Sequence, residues 1–433
     1  MKPLRNILAA LAFGLALLLQ TSFVDANSPG ENLEKELTAL MNAGRIEDAR
    51  LLLLSRPHDD ADLLLFEGRV LKLQNQFTAS AELLERALRK RPSDIVIRRE
   101  LAHVLFLSEH YHQAQKHLRK LLQQDPDPSL RQQYISMLKT SKDRQRLSFS
   151  MSLALEPSTN ITNGASAEFL HTPTASIRID ENSRETSGLG LTFALNSDYS
   201  AMQTDRSELV FDFGMTATRY SVSQANSKDI YAIGVAYAFL NPLSRFEIRP
   251  YLEEEITHGQ LDQTTLGLSL DWTRRLSRSA QLNAVLTTEQ QTMDSSPQKT
   301  GTDSSLHTSY KHYVSQNTAI QIGVLFEQNK TGLIHNQYNG QRLDIAVDHV
   351  FSSGLLSHAR LSFGNRNFSG NFPLLSFERH DEYVELILQV QKSSWHLFGF
   401  SPIATCKHVN NRSNISLYTY NSTSCTGTLS REF

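Results

Sequence analysis

Residues 231–239 read Tyr-Ala-Ile-Gly-Val-Ala-Tyr-Ala-Phe. Large apolar side chains stand at Tyr231, Ile233, Val235, Tyr237 and Phe239, and small ones at Ala232, Gly234, Ala236 and Ala238. A period of two is that of a β-strand, whose successive side chains point to opposite faces. The pattern recurs upstream as Phe149, Met151, Leu153, Leu155, then Leu189, Leu191, Phe193, Leu195, then Leu209, Phe211, Phe213, Met215. Downstream, copies begin at Leu266, Leu282, Ile320, Leu343, Leu355 and Val384, each bounded by Asn, Ser, Asp, Gly or Pro. By this template the chain carries about 14 to 16 strands between Phe149 and Phe433.

Two architectures can use such strands: a soluble sandwich or propeller, or an outer-membrane barrel with its apolar face in lipid and its polar face in a lumen. The second face decides between them. It carries Ser, Thr, Gly, Gln and charges: Glu208 and Asp212 on one strand, Arg249, Glu253 and Glu255 on another, Arg342, Asp344 and Asp348 on a third. A dry core would lose several kcal/mol for each unpaired charge, whereas a wet lumen accepts them. The expected fold is therefore a transmembrane antiparallel β-barrel over 147–433, of 14 strands, with 16 as the other even count the template allows. Glu208, Asp212, Arg249, Glu253, Arg342, Asp344 and Asp348 are its candidate lumen charges. Its last strand alternates through Cys425, Gly427, Leu429, Arg431 and Phe433. A terminal aromatic on such a strand is what the barrel-insertion machinery receives, so Leu429 and Phe433 are candidate assembly residues.

The first third has a different period. From Leu33 to about Met137 apolar residues recur at helical spacing, and Pro92 and Pro126 lie 34 residues apart. Counting back from each proline, Leu64, Gly68, Leu71, Leu84 and Ala87 align with Arg98, Ala102, Leu105, Leu118 and Leu121. That is the tetratricopeptide period of helix, turn, helix. An earlier, degenerate copy runs through Leu37, Leu40, Gly44, Ala49 and Leu52 to Pro57, and 129–138 is able to act as a capping helix. Leu64, Gly68, Ala87 and Leu118 are expected to be structural positions of a helical domain over 27–146. A plain helical bundle is the alternative. Stacked repeats form a groove that binds protein and carry no chemistry of their own.

Ahead of the repeats, Lys2 and Arg5 precede an apolar run from Ile7 to Leu19 and the ending Val24, Asp25, Ala26. This is the layout of a cleavable secretory signal over 1–26, and the run is shorter than the roughly 20 residues a spanning helix needs. The destination is the outer membrane of a Gram-negative bacterium, with the helical domain in the periplasm. With 43 Lys and Arg against 45 Asp and Glu, the chain has no basic field and is not expected to bind nucleic acid. His103, His110, His112 and His117 come without an HExxH motif or a cysteine, so no metal site is expected. His358 follows Ser357, and His380 precedes Asp381, but adjacent strand residues face opposite ways. With GxSxG also missing, neither catalysis nor a cofactor is expected. The two cysteines, Cys406 and Cys425, are expected to stay unbridged. The strand map puts a strand at 412–420 between them, about 9.6 Å apart or at opposite rims, and a register shift there would reverse the expectation.

The segments Pro157-Ser-Thr-Asn-Ile-Thr-Asn-Gly164, Ser401-Pro-Ile403, Asn411-Arg-Ser-Asn-Ile-Ser-Leu-Tyr-Thr-Tyr420 and Ser430-Arg-Glu-Phe433 resemble the surface lipoprotein assembly modulator (Slam) family. Ser413 to Tyr420 and the terminal Phe433 are the most specific parts, and the resemblance covers the mature chain. The repeat array is short for the family, and 421–424 read Asn-Ser-Thr-Ser where a charged hairpin is expected. The resemblance implies a periplasmic tetratricopeptide domain joined to a barrel of about 14 strands. It also implies an outer-membrane translocator for a specific protein cargo. That cargo is either a surface lipoprotein or a secreted soluble binding protein such as a haem-capturing one. Partners would be the cargo, the insertion machinery, periplasmic chaperones and outer-membrane lipid. No Walker motif supplies nucleotide energy. The competing readings are an exopolysaccharide exporter, which also joins repeats to a barrel, and a passive porin, which leaves the repeats unexplained.

Overall fold

The computed structural model describes residues 29–432 apart from 126–129, 173, 205, 223–226, 242, 278, 295, 316, 352, 374, 393–394 and 396–399. The segment read as a signal, 1–26, and the terminal Phe433 lie outside the described residues.

Seven α-helices come first: α1 (Pro29–Asn42), α2 (Ile46–Leu54), α3 (Asp60–Leu73), α4 (Phe77–Lys90), α5 (Ile95–Leu107), α6 (Tyr111–Gln124) and α7 (Arg131–Arg144). Local chemistry sets their starts. Asp59 caps α3 by accepting from the N–H groups of Ala61 and Asp62, and Asp62 returns the bond to the Asp59 N–H. Asp94 caps α5 through the N–H groups of Val96 and Ile97. Each cap is worth about 1 kcal/mol. Within each pair the turn passes through one left-handed residue, Gly44, Asn75 and Glu109 at φ 75°, 58° and 62°. Gly44 therefore belongs to the turn, not to a close helix crossing. Gly68 is the crossing residue: a Cβ there would stand 2.8 Å from Leu84 Cγ. Beside it, Ser80 Oγ donates to the Gly68 carbonyl at 2.6 Å.

Leu64, Leu84, Ala87, Ile97, Leu101 and Leu118 share one buried core that continues to Tyr134 of α7. Leu37, Met41, Ala49, Leu53 and Phe66 form a second cluster around the first pair. Where Leu64 aligns with Arg98, the guanidinium stays buried and donates to the Pro92 carbonyl. Burial pulls Arg98 down to about 10. Next to it, burial together with Arg98 pulls His117 down to about 3, which keeps the imidazole neutral.

Fourteen strands then close a barrel: β1 (Leu147–Ser158), β4 (Gly188–Gln203), β5 (Ser207–Tyr220), β6 (Lys228–Asn241), β7 (Ser244–Thr257), β8 (Gln260–Arg275), β9 (Ala280–Met293), β10 (Gly301–Tyr313), β11 (Thr318–Thr331), β12 (Tyr338–Val350), β13 (Leu355–Asn371), β14 (Glu378–Lys392), β15 (Ser401–Ser413) and β16 (Tyr420–Glu432). A short hairpin, β2 (Phe169–His171) with β3 (Ser176–Arg178), sits in the connection from β1 to β4. Sequence neighbours pair antiparallel all the way round, and β1 also pairs with β16. Leu153 lies opposite Phe193 on one side and Leu429 on the other.

The alternation sorts the faces. Leu209, Phe211 and Phe213 stand outward with Tyr237, Val235 and Ile233, while Glu208 and Asp212 stand inward with Ala238 and Gly234. The end of the barrel where α7 enters is here the near end, and the other the far end.

The expectation for the cysteines is overturned. Residues 412–420 do not form a strand: Ser413 ends β15, Ser416–Tyr418 is one 3-10 turn, and Tyr420 opens β16. Asn and Ser in that stretch favour a turn over a strand. The two strands are therefore neighbours with Cys406 directly opposite Cys425, and the pair forms a disulfide on the outward face.

Candidate functional site

At the near end, α6 and α7 meet the rim on its β4–β8 side. Lys142 of α7 inserts its ammonium against the inward carboxylate of Glu208, and both side chains are nearly fully buried. Burial draws the Lys142 ammonium below its ordinary range, against the opposing pull of Glu208. Arg245 Nη1 approaches the other Glu208 oxygen at 3.2 Å. Asp198, also inward, feels the charges of Arg119 and Lys142. Farther round the rim, Arg275 Nη1 donates to the Leu122 carbonyl at 3.2 Å. The helices are held by Asp125 of the α6 end, buried against Arg99 and the Tyr134 hydroxyl. The sequence reading missed Lys142 and Arg245 as site residues. Nothing local distinguishes Lys142 from a solvated helix lysine, because its partner lies 66 residues away.

Along the lumen most of the candidate charges are ion-paired, Asp212 and Asp348 with residues of other strands and Arg342 with Asp344 along its own strand. Arg249 grips Asp212 with both Nε and Nη2, at 3.0 and 2.5 Å. Arg342 Nε meets Asp344 at 2.9 Å, and His307 Nε2 stands 3.4 Å from the same carboxylate. Asp348 takes Lys311 at 2.6 Å and His358 at 2.7 Å. Glu253 alone of these candidates makes no ion pair among the described residues; its charged neighbours are Glu289, Glu255, Lys228 and Arg249. Further pairs went unread in the sequence: Arg366 with Glu327 at 2.7 Å, and Glu385 with Arg360 at 3.1 Å and Lys407 at 3.0 Å. Strand parity could have found these, since Glu385 alternates with Val384 and Leu386. Much of the lumen wall is ion-paired, but Glu253, Glu289 and Asp303 have no ion pair among the described residues and gather as an acidic patch.

The far end is built differently. Ile415, buried in the β15–β16 turn, packs with Ala165, Leu170, Ile179 and Leu375 from the β1–β4 and β13–β14 connections. Arg379 lays its guanidinium 3.3 Å from the Tyr418 ring centre while pairing with Asp381. The Ser413–Tyr420 element thus ties the neighbouring far-end connections together. Buried Asn160 ties β1 to β16 there: its amide donates to the carbonyls of Gly164 and Asn421, at 3.0 and 3.2 Å, and Ser422 Oγ donates to the Asn160 carbonyl. Below this clasp the β1–β16 ladder is continuous from Ser150 opposite Glu432 to Leu155 opposite Gly427, then skips to Ser158 opposite Ser424. The gap spans Pro157, which has no N–H to give the ladder. Leu429 lies outward opposite Leu153 and Pro402. Leu64, Gly68, Ala87 and Leu118 take no part in either mouth and sit in the helical interior.

Comparison with known proteins follows this division of the chain. The tetratricopeptide repeat profile matches residues 71–138. No curated protein matches the chain. Among solved structures, OccAB4 of Acinetobacter baumannii is similar at 8% identity and a TM-score of 0.34, over 67% of this chain and 99% of that one. OprD of Pseudomonas aeruginosa gives 8%, 0.33, 66% and 95%. The TodX monoaromatic hydrocarbon channel gives 8%, 0.38, 66% and 90%. Scores at this level carry no argument. The profile described as surface lipoprotein assembly modifier matches residues 148–433, the barrel from the second residue of β1 onward, and the chain therefore belongs to the surface lipoprotein assembly modifier family.

Proposed function

We propose that this chain moves one protein cargo, a surface lipoprotein or a secreted soluble binding protein, from the periplasm to the cell exterior. Its family and closed barrel place it in the outer membrane. In this reading the domain over 27–146 is periplasmic, the near end faces it, and the far end faces the exterior. The observation that carries the reading is the buried Lys142–Glu208 pair, which seats the repeat domain at the near rim. A passive pore gains nothing from a protein-binding domain held at its entrance. A translocator does, because cargo bound by the repeats can compete for the contacts that hold the helices in place.

The other features fit the same route. Ion pairing along much of the lumen wall weakens the field that a passing polypeptide meets there, outside the acidic patch at Glu253, Glu289 and Asp303. The interrupted β1–β16 ladder offers a lateral seam as an alternative to the lumen. With no Walker motif in the chain, the drive comes from cargo folding outside, from partners or from the insertion machinery.

The test is deletion of the gene in its own host, with the protease-shaved surface and the culture fluid compared with wild type. Loss of one or two proteins that accumulate in the periplasm supports protein export and names the cargo. An unchanged proteome with altered surface sugar or solute uptake overturns it. Removing residues 27–146 should abolish export of that cargo and leave a heat-modifiable barrel.

A further inference from the structure

The outward wall of β11–β15 is concave, and it encloses a cavity of about 750 Å³ that opens to the membrane side of the barrel. Its floor is apolar, made by Leu343, Leu361, Phe363, Val384 and Leu386. On the lumen side of the same wall Gly364 leaves room for the Tyr383 ring: a Cβ on Gly364 would stand 2.2 Å from Tyr383 Cζ. A lipid-facing wall is ordinarily an even apolar band with polar residues only at its edges. Here the polar edge comes down into the cavity as Gln341, Asn365, His408, Asn410 and Arg412. These positions lie toward the far end of their strands.

Arg412 decides the occupant. It stands directly opposite Glu382, yet the two form no ion pair; Glu382 turns instead to His380 at 3.6 Å. The guanidinium makes no hydrogen bond or ion pair among the described residues. A planar donor fork over an apolar floor, flanked by the amides of Gln341, Asn365 and Asn410, has the chemistry that grips a phosphate while acyl chains fill the space below.

We propose that this cavity binds a phosphate-bearing acylated lipid of the membrane leaflet at the far end, with its phosphate on Arg412 and an acyl chain against Phe363 and Leu386. The site rests on the barrel's outer-membrane location and not on the identity of the cargo.

The test is photo-crosslinking in the full chain, in its native membrane. A benzophenone-bearing residue replaces Leu386 in the cavity or, as a control, Leu268 on the outward wall of β8. The expected result is an adduct with a phosphate-containing lipid, much stronger at 386 than at 268. Arg412→Gln should weaken that adduct by about tenfold, as loss of a charge-assisted hydrogen bond implies. Heat-modifiable mobility on a gel confirms that each variant is folded. Equal labelling at the two positions, or an adduct unchanged by Arg412→Gln, overturns the proposal. So does an adduct that is a phosphate-free acylated peptide, which would give the cavity to the lipid anchor of a cargo. Because the adduct is read without any export assay, its failure and the failure of the export reading are separable.

Discussion

The helical domain and the barrel bury opposite things. In the helices Leu84 and Leu118 are 0% exposed, and buried polar side chains such as Ser80 and Asp125 are hydrogen-bonded. In the barrel Leu266 is 62% exposed and Phe326 53%, whereas Asp381 is 1% and Glu208 4% exposed. The difference teaches that burial has no fixed sign. A side chain goes where its own phase is, and the barrel has lipid outside and polar partners within. A single chain can hold both solutions because the switch from a period of 3.6 to a period of two occurs within a few residues, between Arg144 and Leu147.

The sharpest way to break this comparison is at the joint. Lys142→Met leaves Glu208 buried with Arg245 as its remaining ion-pair partner among the described residues, and breaking one side of a buried pair costs about 3–5 kcal/mol. Limited proteolysis should then cut between α7 and β1 while the barrel keeps its heat-modifiable mobility. Unchanged protection would mean that other contacts seat the helices.

Within the domains, Leu118→Ala should cost the helices about 2–5 kcal/mol through the cavity it leaves, read as faster amide exchange in α5 and α6. Leu268→Arg should cost barrel folding in vesicles about 2–4 kcal/mol, because the charge enters the lipid band. The same change at Thr287, which faces inward opposite Ser269 and Ser305, should cost less than about 1 kcal/mol. Equal losses at the two barrel positions would contradict the assignment of faces.

Cys406→Ser opens the covalent clasp of the last hairpin. For a loop of this size the expected loss is about 3 kcal/mol, measured as a lower urea midpoint that a reductant reproduces in the wild type.

The smallest effect is the pH response of the helices. His117 binds its proton at about 3 when folded, against about 6.5 when unfolded. Between those values the unfolded chain holds the extra proton. The stability contribution is therefore complete above about pH 6.5 and falls with acidification, by at most about 1.4 kcal/mol per pH unit. Melting of the helical signal at pH 7 and pH 5.5 checks it, and His117→Leu should flatten the slope.

How much was legible depends on the range of each interaction. The strand faces followed from Tyr231 to Phe239 and its copies, since a period of two is a local property. Glu208, Asp212, Arg342 and Asp344 were readable as inward charges on the same ground. Their partners were less so. Arg249 sits 37 residues from Asp212, and only the ladder brings them together. The cysteines show the cost of one misread turn: taking 412–420 for a strand separated two residues that the fold sets face to face. Gly44 reads as part of the repeat either way, but its φ of 75° assigns it to the turn.

By itself, then, the sequence determined most of the helices and strands, 412–420 excepted, which strand face is dry, and the repeat of the first third, because hydrophobic periodicity is encoded residue by residue. Only the tertiary structure decided that β1 closes on β16, that Cys406 meets Cys425, that Lys142 enters the near mouth, and that Arg412 stands unpaired above an apolar hollow. Each of these depends on register and closure across distant residues, and a one-residue slip would change them without altering any local pattern.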